Sequence, residues 1–388
     1  MGTYKKTHPW ITFDLDLRRI PASLWVKLGE AQSKCEHLAG VPLRPDTARE
    51  LHQIYLAKGA AASTAIEGNT LSEEQVLQHL EGKLELPPSK EYLAKEIDNI
   101  ILACNTIAES IIDAGTFELS SEQLQAYNEM VLNGLELDED VVPGQFRKHN
   151  VGVMRYRAPP WKECPGLMPK LCSWINGFPQ PEGQKVVYGL LKAIIAHLYI
   201  AWIHPFGDGN GRTARLVELE VLLSCGVPMP AAHLLSNHYN MTRTEYYRQL
   251  DRASKSGGDI IPFIEYAVQG FIDGLREQIE RIQSQQWDVT WRNLVHELFR
   301  DKTGATAQRR RHLALDLSLH TDPVPMAEVS MVSPRLIKAY HGKTQKTVAR
   351  DINALVGMGL IEKRQGTVRA KREVILAFLP KRLDPASK

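Results

Sequence analysis

His204-Pro205-Phe206-Gly207-Asp208-Gly209-Asn210-Gly211-Arg212-Thr213-Ala214-Arg215 decides the reading of this 388-residue chain. It puts an imidazole, a carboxylate, three glycines and two guanidinium groups within twelve residues. Upstream, Val186 to Ile203 is apolar apart from Lys192, His197 and small residues. A run apolar on nearly every side is a buried core helix or a membrane span. Its 18 residues are borderline for a span, and Lys192 and His197 in its middle favour the buried helix. Pro205, Gly207, Gly209 and Gly211 then interrupt the helix for about two turns. A helical pattern resumes from Arg212 to about Ser224, with Gly226 and Pro228 as stop signals. The stretch therefore reads as helix, glycine loop, helix N-terminus.

The first N–H groups of the second helix lack internal partners and carry partial positive charge. Glycines beside them let successive amides curl into a concave nest for an anion. Arg212 and Arg215 lie three apart, on one side of the first helical turn. Guanidinium forks match phosphate oxygens in pairs. Asp208 suits a magnesium ion, which takes one or two carboxylates together with phosphate and water. His204 stands where it can take a proton from an attacking hydroxyl. Rival motifs fit poorly. A P-loop requires a lysine that this stretch lacks. An EF-hand begun at Asp208 needs Gly where Thr213 stands and Glu where Leu219 stands. His204 has no His or Cys at zinc-ligand spacing.

The segment resembles the signature of Fic (filamentation induced by cAMP) domains, His-x-Phe-x-Asp/Glu-Gly-Asn-Gly/Lys-Arg-x-x-Arg, and fills every specified position. The resemblance implies transfer of AMP from ATP to a hydroxyl side chain of a target protein, with release of pyrophosphate. It implies His204 as general base and Asp208 as the Mg2+ ligand. It also implies that Gly209, Asn210 and Gly211 cradle the phosphates and that Arg212 and Arg215 grip the outer ones.

Ser63-Thr64-Ala65-Ile66-Glu67-Gly68-Asn69 resembles that family's inhibitory motif, Ser/Thr-x-x-x-Glu-Gly/Asn. A helical pattern begins at Asp46 and ends at the Gly68-Asn69 pair. Glu67 then lies near a helix C-terminus, where the dipole disfavours an acid and a cation partner is needed. The family places this carboxylate on the second motif arginine, here Arg215. There it would occupy the fork, repel the γ-phosphate and leave the α-phosphate misaligned for attack. The inhibitory set is Ser63, Glu67 and Gly68, and the chain resembles the Fic class with an N-terminal inhibitory helix.

Two further stretches fit. Gly144-Gln145-Phe146-Arg147, Val151-Gly152-Val153-Met154 and Tyr156-Arg157-Ala158-Pro159-Pro160 carry alternating apolar residues. They read as a β-hairpin and resemble the family's flap, whose edge would hold a target segment by strand addition. Thr244-Glu245-Tyr246-Tyr247 resembles the wall of the adenine pocket, with Tyr247 near the base, although Ser254 stands where family members often carry Asn. The expected ATP-binding residues are Gly207, Asp208, Gly209, Asn210, Gly211, Arg212, Arg215, Tyr247 and Val151.

Net charge is +2 but unevenly spread. Residues 301–388 hold 17 Lys and Arg against 8 Asp and Glu, and the remainder 30 against 37. Five scattered cysteines without metal spacing suggest free thiols in a reducing cytosol. No apolar signal segment is visible in the first twenty residues, so the expectation is a cytoplasmic protein without a membrane partner.

The expected architecture is mainly α: an N-terminal helical region with the inhibitory helix (1–115), a helical Fic core with a short flap hairpin (116–280), linking helices (281–320) and a winged helix-turn-helix domain (321–388). Arg309-Arg310-Arg311 is expected on a solvated helix face. In the last region Val348, Ile352 and Leu355 repeat at helical spacing after Gly342, a helix-turn-helix pattern. Strands flank Gln365-Gly366, the second running from Val368 to Phe378. This resembles a winged helix, with Gln345, Lys346 and Arg350 toward DNA and Arg364 and Arg369 on the wing. Such domains also dock proteins or dimerise, so DNA and a homodimer are both expected partners alongside the target protein. Two readings stay open: an autoinhibited protein adenylyltransferase, or a DNA-binding regulator whose Fic domain only senses nucleotide. Within the enzyme class, transfer or removal of another phosphate-linked group is a further variant.

Overall fold

The computed structural model describes residues 4–42, 45–114, 117–153 and 156–375, and divides into two compact units, Met1–Ile279 and Glu280–Lys388. The first unit is built round two consecutive helices, α5 (Lys185–Ile203) and α6 (Asn210–Ser224). Around them lie α1 (Ala22–Gly40), α2 (Pro45–Ile66), α3 (Glu91–Ala114), α4 (Ser121–Leu132), α7 (Leu234–Met241), α8 (Arg243–Lys255) and the first part of α9 (Ile261–Leu298). By length and composition α5 passes for a membrane-crossing helix, but 89% of its apolar window is buried inside this unit. Its two interruptions are accommodated. The Lys192 ammonium lies 4.4 Å from the Phe117 ring centre. His197 is enclosed between Glu218 and Tyr246.

The N-terminal helices share one core with the central pair rather than forming a separate region. Leu56, Ala57 and Ala60 of α2, with Ile97, Ile100 and Ile107 of α3, are buried in the same cluster as Leu190, Ile194 and Val217. Burying each large apolar side chain of α2 and α3 in this shared cluster is worth about 1.5–3 kcal/mol. The boundary expected near residue 115 is therefore not a boundary between compact bodies.

α5 ends at His204, which adopts the left-handed conformation (φ 50°, ψ 60°) while its N–H still donates to Ile200 O at 2.8 Å. For a residue with a β-carbon this conformation costs about 1–2 kcal/mol, a strain found at the candidate catalytic position. α6 begins at Asn210, two residues before the expected start. The flap is shorter than the alternation suggests: β1 (Gly152–Val153) pairs antiparallel with β2 (Tyr156–Arg157). Met154 lies outside the described residues.

The second unit has its own core, including Trp291, Val295, Leu313, Leu317, Leu336, Val348, Ile352, Leu355 and Val368. Helix α10 (Ala305–Leu317) contributes Leu313, Ala314 and Leu317, so the stretch expected to link is part of this packed body. Helix α11 (Pro334–Tyr340), a turn and α12 (Gln345–Gly357) lie between the first and second strands of a three-stranded antiparallel sheet. Its order is β3 (Val324–Pro325), β5 (Thr367–Ala370), β4 (Ile361–Arg364). The β4–β5 turn at Gln365 and Gly366 has two positive φ angles, 43° and 80°, as a tight hairpin requires. The last strand ends at Ala370, and Phe378 lies outside the described residues.

The arginine triplet departs from expectation. Arg309 is buried, and both it and Arg310 donate Nε–H to Asp351, each at 2.7 Å. Asp351 also accepts from the Tyr340 hydroxyl at 3.2 Å. A buried carboxylate requires such partners, and Asp351 lies 41 residues beyond Arg310, out of view of a local pattern.

Candidate active site

The loop between α5 and α6 is closed by its own side chains. Asn210 accepts from Phe206 N–H and donates to Phe206 O, both at 2.9 Å. Its amide group is therefore structural, and what it offers a ligand is its backbone N–H. The amides of Asn210, Gly211 and Arg212 open a 15-residue helix without intrahelical partners. The Asp208 carboxylate accepts from Gly209 N–H at 2.5 Å and from Arg212 at 3.2 Å, with its side chain half exposed.

Sequence reasoning missed two residues that fix this loop. Asn128 of α4 donates to Asp208 O at 2.8 Å and accepts from Gly144 N–H at 3.1 Å. Buried Arg147 donates to the carbonyls of His204 (2.7 Å), His149 (2.8 Å) and Pro159 (2.6 Å), tying the flap to the end of α5. A lone arginine satisfied by carbonyls, and an asparagine eighty residues from its partner, leave no local signal.

His204 lines a cavity of about 520 Å³, a size typical of small-ligand sites. The loop from Gly207 to Gly211 forms one side, and Val153 and Tyr156 of the flap another. Tyr247, Leu250 and Asp251 of α8 form a third, and Ile66 and Glu67 close it. The His204 Nδ1–H donates to Ala201 O at 3.3 Å, which leaves Nε2 as the basic nitrogen. Burial lowers the imidazole pKa below its ordinary 6.5, and nearby Arg147 adds to this. Ala201, Glu67 and Asp208 oppose it only in part. The ring is thus neutral at pH 7 and can accept a proton.

Glu67 lies immediately beyond the end of α2. Its carboxylate accepts from Arg215 Nη2 at 2.7 Å. Ser63 holds the same guanidinium, accepting from Nε at 3.0 Å through its hydroxyl and from Nη2 at 2.7 Å through its carbonyl. Burial pushes the Glu67 carboxyl up, but Arg215, with Arg212 and His204, brings it below the ordinary value. A β-carbon on Gly211 would lie 2.2 Å from Glu67 Oε1, so the carboxylate rests directly on the phosphate loop. Arg215 is only 3% exposed. Glu67, rather than either motif arginine, is on the cavity wall.

Tyr247 is half-buried on the cavity wall, with its hydroxyl 3.4 Å from Ile66 O. Tyr246 is buried and its hydroxyl meets His197 Nε2 at 2.8 Å. Ser254 is buried and donates to Asp251 O within its own helix at 2.9 Å. Gly68 is exposed (φ 113°) and follows Glu67 in the turn beyond α2. Val151 does not line the cavity. Its carbonyl accepts from Ala158 N–H at 3.2 Å, and in a period-two hairpin it is Val153, two residues on, that reaches the wall. All five cysteines are free and buried.

Residues 118–222 match the model of the Fic/DOC family. Protein adenylyltransferase fic-1 of Caenorhabditis elegans is 27% identical over 244 residues, 60% of this chain and 44% of that protein. Protein adenylyltransferase Fic of Culex quinquefasciatus is 29% identical over 204 residues, 53% of this chain and 38% of that protein. The chain thus spans about two fifths of the length of these curated relatives. A solved Fic family protein from Desulfovibrio desulfuricans G20 superposes with a TM-score of 0.55 at 24% identity, covering 92% of this chain and 97% of that one. A solved fragment of Fic-1 from C. elegans superposes with a TM-score of 0.53 at 23% identity, covering 68% and 74%. The fold is that of Fic proteins.

Proposed function

We propose that the chain is an autoinhibited protein adenylyltransferase. A hydroxyl of a target protein, docked along the flap edge, loses its proton to His204 Nε2 and attacks the α-phosphorus of ATP. The bond to the β-phosphate oxygen breaks and pyrophosphate leaves. The amides of Asn210, Gly211 and Arg212, with the Arg212 and Arg215 forks, hold the outer phosphates. Tyr247 and Leu250 face the base. Asp208 is the residue that would hold Mg2+: its half-exposed carboxylate is on the cavity wall. One carboxylate completed by phosphate and water is what this ion takes. Among the described residues no cluster of three acidic, His or Cys side chains offers a full protein cage. Bound there, the ion would offset phosphate charge.

The observation that carries the reading is the Arg215–Glu67 pair at 2.7 Å, with the carboxylate lying over Gly211. It sits where an outer phosphate is needed and takes the fork that would receive it. The test is mass spectrometry of lysates incubated with ATP and either wild-type protein or Glu67→Gly. We expect AMP-bearing Ser, Thr or Tyr peptides, on the target or on the protein itself, with Glu67→Gly and few with wild type. Equal labelling by both removes the inhibitory role. No labelling by either favours the regulator reading, provided the protein binds DNA.

For the second unit we propose a nucleic-acid or protein docking role. Exposed Gln345, Lys346 and Arg350 lie on one helix. The wing arginines are less available, because Arg364 and Arg369 both pair with Glu362.

A further inference from the structure

The loop's other arginine is also held by carboxylates, one of them from a residue the motif does not contain. Arg212 is only 4% exposed. Its Nη1 donates to Glu96 Oε1 at 3.3 Å and its Nη2 to Asp208 Oδ2 at 3.2 Å, while its buried Nε has no partner. Glu96 is on α3, 116 residues away in sequence. Its second oxygen accepts from Asn69 Nδ2 at 2.8 Å. Asn69 is fixed in turn, donating to Leu93 O at 2.9 Å and accepting from Leu71 N–H at 3.0 Å. Asn69 stands two residues after Glu67.

We propose that Glu96 is a positioning residue: it aims the Arg212 guanidinium at the phosphate loop and, through Asn69, ties that aim to the segment that carries Glu67. A guanidinium on a flexible stem loses less freedom on binding an anion when a carboxylate already fixes its plane. Asp208 alone cannot do this, because its side chain is half exposed and would be shared with a cation. Glu96 instead accepts from two buried donors of different elements, so a shift of the Glu67 segment is felt at Arg212. The proposal rests on reading the loop as a triphosphate site.

The test is a double-mutant cycle in the Glu67→Gly protein, read as ATP affinity by titration calorimetry. The four proteins are the parent, Glu96→Gln, Arg212→Ala and the two changes together. Gln keeps the length but has one oxygen for two donors, so either Arg212 or Asn69 loses its acceptor. With Arg212 present, we expect Glu96→Gln to weaken ATP about tenfold. With Arg212→Ala we expect no further loss, since the residue being aimed is gone. Labelling rates should show the change in KM rather than kcat. Glu96→Asp, which keeps the charge but shortens the reach, should give an intermediate loss and replaces Gln in the cycle if the Gln variant does not fold. Equal losses with and without Arg212, or no loss at all, overturn the positioning role. A parent that binds no ATP overturns the triphosphate reading itself and this proposal with it, whereas a binding parent with additive losses overturns the proposal alone.

Discussion

At the scale of the residue, His204 and Glu67 set the chemistry of the site. His204 is neutral because burial and Arg147 lower its pKa below 6.5. A base with a depressed pKa is unprotonated above that value and loses activity as pH falls through it. In Glu67→Gly the falling limb of kcat/KM should therefore lie below pH 6.5, and further down than Glu67 would allow, because that carboxylate raises the His204 pKa. A half-maximal rate at or above pH 6.5 in a pH–rate series would contradict this environment for the base. His204→Ala in the same background should remove labelling while ATP still binds. Label transfer that survives this change would assign the proton to another group.

At the scale of the element, the position of Glu67 depends on how α2 is seated. Gly59, two turns before Glu67, packs against His233: an added β-carbon would lie 2.2 Å from its Nδ1 and 2.5 Å from its Cγ. Gly59→Ala should therefore push α2 off its seat and destabilise the first unit by about 1–3 kcal/mol, the usual cost of overpacking. It should also raise labelling in an otherwise wild-type chain. Thermal melting and labelling measured together check this, and a lower melting temperature without extra label would uncouple the seat from inhibition.

The elements that position the site were largely legible in the sequence. The apolar run of α5, the glycine interruption, the restart of α6 and the end of α2 just before Gly68 are all local patterns. The pairing of Glu67 with Arg215 was legible only through the resemblance, because 148 residues separate the two. Glu96, Asn128 and Arg147 were not legible, since their partners are backbone carbonyls or distant side chains. The buried Arg309 was misjudged for the same reason.

At the scale of the molecule, the site is contained in the first unit. Every cavity-lining residue lies between Ile66 and Lys255. The core that supports them ends at Leu275, and the second unit has a separate one. A fragment of residues 1–279 carrying Glu67→Gly should bind ATP as tightly as the full chain does, as calorimetry would show. A loss beyond tenfold would mean that the second unit contributes to the site. The central claim is that the loop presents the α-phosphorus to a hydroxyl once Glu67 leaves Arg215. The most direct measurement incubates Glu67→Gly with ATP labelled at either the α- or the γ-phosphate. The account predicts covalent label from the α-labelled nucleotide and none from the γ-labelled one. Label from the γ-position, or from neither while ATP is bound, would contradict it.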